Sequence, residues 1–329
     1  MTNSQERVRS IYSIIPKQWQ NEDSIWLSAY NISHLEQVDL PQAVSVEIMG
    51  LKAIAFWGKF QYYSIDEVNL VPKENGILHF ELKSPELKTS KIGPWVHFLA
   101  PYSQNDQNQE TSIKKKIKAA RALMCSVLGR NAVDQHFCDN VLNLRTGNIS
   151  GFSPVFKNPF TDPQPIFTID SIERMQEIYK RIENICVEKT ENRYNLSLQW
   201  FNDSLDDDGV DAFLKVWIAI EVLLMQSSEN IKPLKNLLVK GYGISSQDTT
   251  EKYLIGYLCG LRGAIVHDGT VTSLHYGVTR YLEELYKDFL CLSLGLPCPK
   301  YAKQYLNGCE FDLKNIIKGY LKAVKEFVH

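Results

Sequence analysis

The stretch EKYLIGYLCGLRGAIVH occupies positions 251–267, and its periodicity decides how the second half of the chain folds. At about 100° per residue, Leu254, Leu258, Leu261 and Ile265 fall on one narrow stripe, the pattern of a helix packed against a core. Gly256, Gly260, Gly263 and His267 fall on roughly the opposite side, and Arg262 lies on the flank of the apolar stripe. Each glycine costs a helix on the order of 1 kcal/mol relative to alanine. A glycine face therefore implies close approach of another backbone. That backbone belongs either to a helix of the same subunit or to the same face of a second chain across a two-fold axis. His267 ends the helix just before Asp268-Gly269. An imidazole exchanges its proton near neutral pH, so His267 reads either as a structural helix end or as a group that donates and accepts protons.

Upstream, DAFLKVWIAIEVLLMQ (211–226) is apolar nearly all round, as a core helix is. Glu221 interrupts it. An unpartnered buried carboxylate is costly, so Glu221 should either meet a cation or point into a polar cleft. Arg262 is the candidate cation. A structural bridge between two helices and a functional pair explain Glu221 equally well.

Helical patterns also cover residues near 168–189, 191–204, 271–292 and 311–328, with the helix around Arg262 running over 249–267 and the core helix over 210–227. A proline-rich connector, GFSPVFKNPFTDPQP (151–165), precedes them. Before it, TSIKKKIKAARALMCSVLG (111–129) reads as a basic amphipathic helix with a Thr/Ser cap, and AVDQHFCDNVLNLR (132–145) as a further helical segment. Residues up to about 105 read as mainly β: VSVEI (44–48), AIAFWGKF (53–60), ILHFEL (77–82) and WVHFLAPY (95–102) are short, rich in β-branched and aromatic residues, and divided by turn dipeptides. SQNDQNQETS (103–112) has the polarity of a linker. The expected class is α+β: a β-rich N-terminal domain over 1–110, a helical and proline-rich connector over 111–165, and an all-α domain over 166–329.

A chain of 329 residues is long enough for two domains, and 44% hydrophobic with 22% charged residues is an ordinary globular composition. A net charge of −2 means that any nucleic-acid partner must be met by a local basic patch. The most apolar run, VWIAIEVLLM (216–225), is half of what a membrane span needs, and the N-terminus lacks the apolar core of a secretory signal. Seven cysteines with no CxxC pair imply reduced thiols and a cytoplasmic setting, in which three Asn-x-Ser sequons are accidental.

Several motifs are absent: the GxxxxGK phosphate loop, HExxH and GxSxG. DSLDDDGVDAF (203–213) resembles a calcium loop only until Lys215 takes the place where a bidentate glutamate is required. Its aspartates suit a helix start instead. Cys291, Cys298 and Cys309 with His275 have no zinc-ligand spacing. No metal and no cofactor is expected. The cluster Lys114, Lys115, Lys116 and Lys118, with Arg121, is either a solvated helix face or a track for a phosphate backbone.

Taken together, LQWFNDSLDDDGVDAFLKVWIAIEVLL (198–224) and YLIGYLCGLRGAIVHDG (253–269) resemble the HEPN superfamily of helical ribonuclease and nucleotide-binding domains, most closely its Apea-like branch. The resemblance covers about residues 190–295. It implies metal-independent RNA cleavage by a homodimer with a composite active site, with Arg262 and His267 as the catalytic pair and Glu221 and Gly263 in support. Arginine suits the forked contact to phosphate and histidine suits proton transfer. The implied products are 2′,3′-cyclic phosphate and 5′-hydroxyl ends, and DNA, lacking the 2′-hydroxyl, is refractory. Gly263 departs from the family, which often places a polar residue, commonly Asn, directly after the arginine. The resemblance also implies a role in stress or antiviral defence, with RNA such as tRNA as substrate, and a β-rich domain that senses a trigger, positions RNA or restrains the nuclease. A non-catalytic RNA- or nucleotide-binding adaptor and a purely structural oligomerisation module are the alternatives.

Overall fold

The computed structural model describes residues 8, 12, 15–31, 43–56, 68–72, 78–82, 95–103, 108–130, 132–133, 136–150, 169–185, 188–225, 230–268, 271 and 273–327. The chain divides into two compact units, Met1–Gln176 and Glu177–His329. Strands are confined to the first and the second is helical among the described residues, which makes the protein α+β.

The first unit is built on β1 (Ser24–Asn31), β2 (Ala43–Ile48), β3 (Leu51–Phe56), β4 (Val68–Pro72), β5 (Leu78–Leu82), β6 (Trp95–Tyr102), helix α1 (Gln109–Leu128), β7 (His136–Asn143) and β8 (Ile149–Ser150). Six of the strands form one antiparallel sheet in the order β2-β3-β6-β1-β7-β8, and β4 pairs with β5 separately. The hairpin β2-β3 turns through Met49 and Gly50, both at positive φ. Helix α1 buries Ile113, Ile117, Ala120 and Leu123. The Lys114 ammonium stands over the Trp26 ring and the Arg121 guanidinium over Tyr30. Those aromatic rings lie four residues apart on β1 and so share one face of the sheet.

Segment 132–145, expected as helix, contains the strand β7 instead. Its pairing supplies the second hydrogen-bonding edge of β1 along nearly the whole strand, Ser24 opposite Asn143 through Tyr30 opposite His136. Asp139 accepts a hydrogen bond from Ser28 of β1 and contacts His136 at 3.0 Å. Backbone pairing with a buried neighbour overrides the weak helical pattern. The connector expected over 111–165 thus holds α1 and β7, both parts of the first unit. Its proline-rich stretch lies outside the described residues, as does 57–60 of the expected strand 53–60.

His97 of β6 sits opposite Ala29 and Ile54 and is 2% exposed; burial pushes its pKa down from 6.5 to about 3. Folding therefore excludes a proton that the unfolded chain binds below pH 6.5. Stability is complete above that pH and falls as the pH drops toward 3. Between pH 7.5 and 5 the first unit is expected to lose about 2 kcal/mol through this residue. Urea unfolding of the wild type and His97→Leu at both values checks it, because the variant should lose the pH-dependent part.

The boundary between the units falls within helix α2 (Ile169–Asn184), and the second unit goes on through α3 (Glu188–Leu205), α4 (Gly209–Leu224), α5 (Lys232–Tyr242), α6 (Ser246–Glu251), α7 (Ile255–Gly263), a π turn (Ala264–Asp268), α8 (Tyr276–Ser293), α9 (Tyr301–Gly308) and α10 (Leu313–Phe327). Helix α8 is its axis: Tyr281, Leu282, Leu285, Tyr286, Phe289 and Leu290 are all buried. It packs against α4, α5 and α9. Tyr286 stacks on Phe201 of α3 at 4.3 Å, and the fully buried Ser197 hydroxyl donates to the Ala219 carbonyl of α4.

The single helix expected over 249–267 is three pieces. A capping box between Ser245 and Asp248 starts α6, Leu254 takes a left-handed backbone (φ 59°) that ends the first turn, and α7 starts anew. The Tyr253 carbonyl freed by that break accepts from the Tyr281 hydroxyl at 2.8 Å. Helix α8 begins at Tyr276 instead of near 271, because His275 caps it through its own ring nitrogen, which accepts from the Gly277 amide. In the acidic loop, Lys215 reaches back to the Asp203 carbonyl and the Asp207 carboxylate, so the position that a calcium loop needs as acid neutralises the loop instead. No described helix is long and apolar enough to cross a membrane.

Candidate active site

Helix α4 brings Trp217 and Glu221 to one side, four residues apart. The Trp217 indole donates to Glu221 Oε1 at 2.7 Å, and the same oxygen lies 3.4 Å from Arg262 Nε on α7. The pairing expected from the sequence is present. Both side chains are only partly buried, 20% exposed for Arg262 and 17% for Glu221, so the pair borders solvent. The closest approach is through Nε. At 3.4 Å the carboxylate lies beside the Nε edge of the guanidinium, held there by charge attraction. The indole and the guanidinium together satisfy the carboxylate, which accounts for an acid on an otherwise apolar helix.

Cys259 lies one turn before Arg262 on α7. Burial raises its thiol pKa, and the opposing pull of Arg262 does not overcome it. The thiol is held in its protonated, weakly nucleophilic form.

The apolar stripe expected for α7 is buried in full, with Leu254, Leu258, Leu261 and Ile265 at 8% exposure or less. The glycine side is divided. A Cβ at Gly260 would stand 3.5 Å from Leu321 of α10, so this position packs on a helix of the same chain. At Gly263 a Cβ would meet nothing within 4 Å among the described residues. Gly263→Ala is thus expected to raise thermal stability by about 0.5–1 kcal/mol through helix propensity. Sedimentation of the same variant reads the other possibility. If a second chain packs its backbone here, the added methyl weakens the dimer.

After Gly263 the backbone widens into the π turn, and this changes where His267 stands. In an uninterrupted α-helix, residues five apart are separated by about 140° around the axis. Hydrogen bonding from i to i+5 turns the chain through less than an α step per residue. The angle between Arg262 and His267 is narrowed accordingly. His267 is exposed, and the neighbouring Val266 is 48% exposed, unusual for a β-branched apolar residue in a helix end. The arrangement puts a charged fork and an accessible imidazole at one end of α7.

The expected basic face is only partly as read. Lys114, Lys115, Lys116 and Lys118 of α1 are exposed, Lys114 pairing with Glu110 at 2.6 Å. Arg121 does not join them. It is 4% exposed, and its Nε donates to the Val133 carbonyl at 2.8 Å over the Tyr30 ring. Its job is to tie α1 to the following loop. These residues belong to the first unit and Arg262 and His267 to the second. No protein-family model, no curated protein and no solved structure matches the chain.

Proposed function

We propose that the protein is a metal-independent endoribonuclease of HEPN type, with Arg262 and His267 acting on the phosphate to be cut. The supporting observation is the end of α7: an arginine paired with Glu221, whose carboxylate also accepts from the Trp217 indole, followed through a widened turn by an exposed histidine.

In this reading the RNA 2′-oxygen attacks the adjacent phosphorus while its proton passes to a base. The bond from phosphorus to the 5′-oxygen breaks, and an acid delivers a proton to that oxygen. The product keeps a 2′,3′-cyclic phosphate on one side and a 5′-hydroxyl on the other. Arg262 stabilises the charge that gathers on the non-bridging oxygens, and His267 carries one of the two proton transfers. A homodimer supplies the second imidazole from the partner's copy of the same face. The setting drawn from the resemblance is cytoplasmic RNA, with tRNA as one class, cut under stress or infection, and the β-rich unit senses a trigger, positions RNA or restrains the nuclease.

Gly263 favours a second reading. It stands where a polar side chain often follows the arginine in the family, and the loss of that group suits a dimeric adaptor that binds RNA or nucleotide without cutting it.

The test is incubation of purified protein with total RNA in EDTA, followed by end mapping. Cyclic phosphate and 5′-hydroxyl ends, with single-stranded DNA untouched, are the expected result. Ends of the opposite polarity, 5′-phosphate and 3′-hydroxyl, overturn the chemistry. RNA retained intact by a folded dimer makes the protein the adaptor.

A further inference from the structure

We infer that α10 carries a track for single-stranded RNA that runs alongside α7 toward Arg262 and His267; the choice of RNA as ligand rests on the ribonuclease reading. Lys314, Lys318 and Lys322 recur every four residues, so they share one side of α10 with about 6 Å of rise between them. Lys318 and Lys322 are exposed. The ammonium groups of Lys314 and Lys318 lie 5.8 and 5.5 Å from the centre of the Tyr257 ring on α7. Lys314 also pairs with Glu251 at 2.6 Å. Further along, Leu321 covers Gly260, and α10 touches the π turn. The two helices thus run in the same direction. The row starts beside the N-terminal end of α7 and heads for the end that bears His267.

A cleft of about 560 Å³ opens at the start of the row, lined among others by Lys252, Tyr253, Lys303, Leu306, Phe311 and Lys314. Its floor is apolar and aromatic and its rim carries Lys303 beside Lys252, which pairs with Asp248, and Lys314, which pairs with Glu251; floor and Lys303 together fit a nucleoside and its phosphate, and the volume is in the range of small-ligand sites. Its two acids are already engaged, Glu251 by Lys314 and Asp312 by the Asn315 amide. The opposite side of α10 is spent on the bundle: Leu313 and Ile317 are buried, and the Tyr320 hydroxyl accepts from the His275 amide. Among the described side chains of α10, Leu313 and Ile317 are therefore not offered to a lipid surface. What it offers outward is a line of point charges beside an aromatic ring, the combination that holds a single strand by its phosphates.

The test uses full-length protein carrying His267→Ala, so that no RNA is consumed, and a fluorescein-labelled mixed-sequence RNA 12-mer read by anisotropy over a salt series. Adding Lys318→Gln and Lys322→Gln is expected to weaken binding roughly tenfold and to reduce the log–log salt slope by about 1.4, at ~0.7 per phosphate contact on a single strand. Lys180→Gln with Arg181→Gln, exposed on α2, is expected to change neither. A DNA 12-mer should bind with the same sensitivity, since the track reads phosphates. Unchanged affinity and slope in the α10 variant overturn the inference. So does absence of RNA binding, or binding only to phosphatidylserine vesicles. If the α10 lysines govern binding but unmutated protein never cleaves, the ribonuclease reading fails while the track stands.

Discussion

Protein with His267→Ala is expected to cleave RNA 10²- to 10⁴-fold more slowly than wild type while keeping its fold and its affinity for RNA. The magnitude is that of removing one positioned general acid or base, about 2.7–5.5 kcal/mol of activation free energy. His267 is exposed, so its truncation empties no core; a surface change of this kind shifts stability by less than about 0.5 kcal/mol. Three further variants separate chemistry from architecture. Arg262→Ala takes the cation from Glu221 and should lower both the rate and the melting temperature. Arg262→Lys keeps the charge without the fork and should restore stability more than rate. Glu221→Gln keeps an acceptor for the Trp217 indole but removes the charge attraction on Arg262, so its loss should appear in the rate alone. A wild-type cleavage rate in His267→Ala would remove the imidazole from the mechanism.

The largest stability effect is expected at Asp288 of α8. This carboxylate is fully buried in α8. One oxygen accepts from the Tyr301 amide at 3.0 Å, and the other accepts from the Ala302 amide at 2.9 Å and from the Tyr242 hydroxyl. It thereby caps α9, whose preceding residue Lys300 is forced to a left-handed backbone, and pins α5 to the same point. Asp288→Ala strands three donors at once. The cost is expected at about 3–5 kcal/mol, or a fall of roughly 10 °C in the melting temperature of a unit this size. Asp288→Asn, with one acceptor oxygen left, should lie between. Burial raises the Asp288 pKa above 3.8, so its contribution is greatest in the acid form and diminishes as pH rises through its folded pKa. That sign is opposite to that of His97, and the pair of variants distinguishes the acid response of the two units.

What the sequence makes legible is what its periodicity encodes. The apolar helix with a lone glutamate, the leucine stripe beside Arg262 and the Glu221–Arg262 pair follow from residue spacing alone. β1 escapes because it is buried on both faces: Ile25, Leu27 and Ala29 on one side, Trp26, Ser28 and Tyr30 on the other. No alternation of polar and apolar residues remains to announce it. The strand in 132–145 escapes because its reason for existing lies more than a hundred positions away in β1. Helices α5 and α9 are short and held by tertiary bonds, α9 by Asp288 above all. At the candidate site, Arg262 and His267 are singled out by the resemblance, whereas the lysines of α10 are placed beside Tyr257 only by the fold. Their four-residue repeat is visible; what it lies next to is not.

The wide turn at 264–268 also changes how the arginine-to-histidine spacing is to be understood. Four residues separate the two, one more than a regular helix places between neighbours on a single face. The backbone absorbs the surplus by lengthening its hydrogen-bonded ring, and the surplus residue shows itself as Val266, turned out to water. Counting residues along the chain is then a poor ruler for this pair. A version of the helix end shortened by one residue can keep the same two side chains together by reverting to ordinary winding. The interval between the two is elastic: the angle that separates them around the axis depends on the winding as well as on the number of residues.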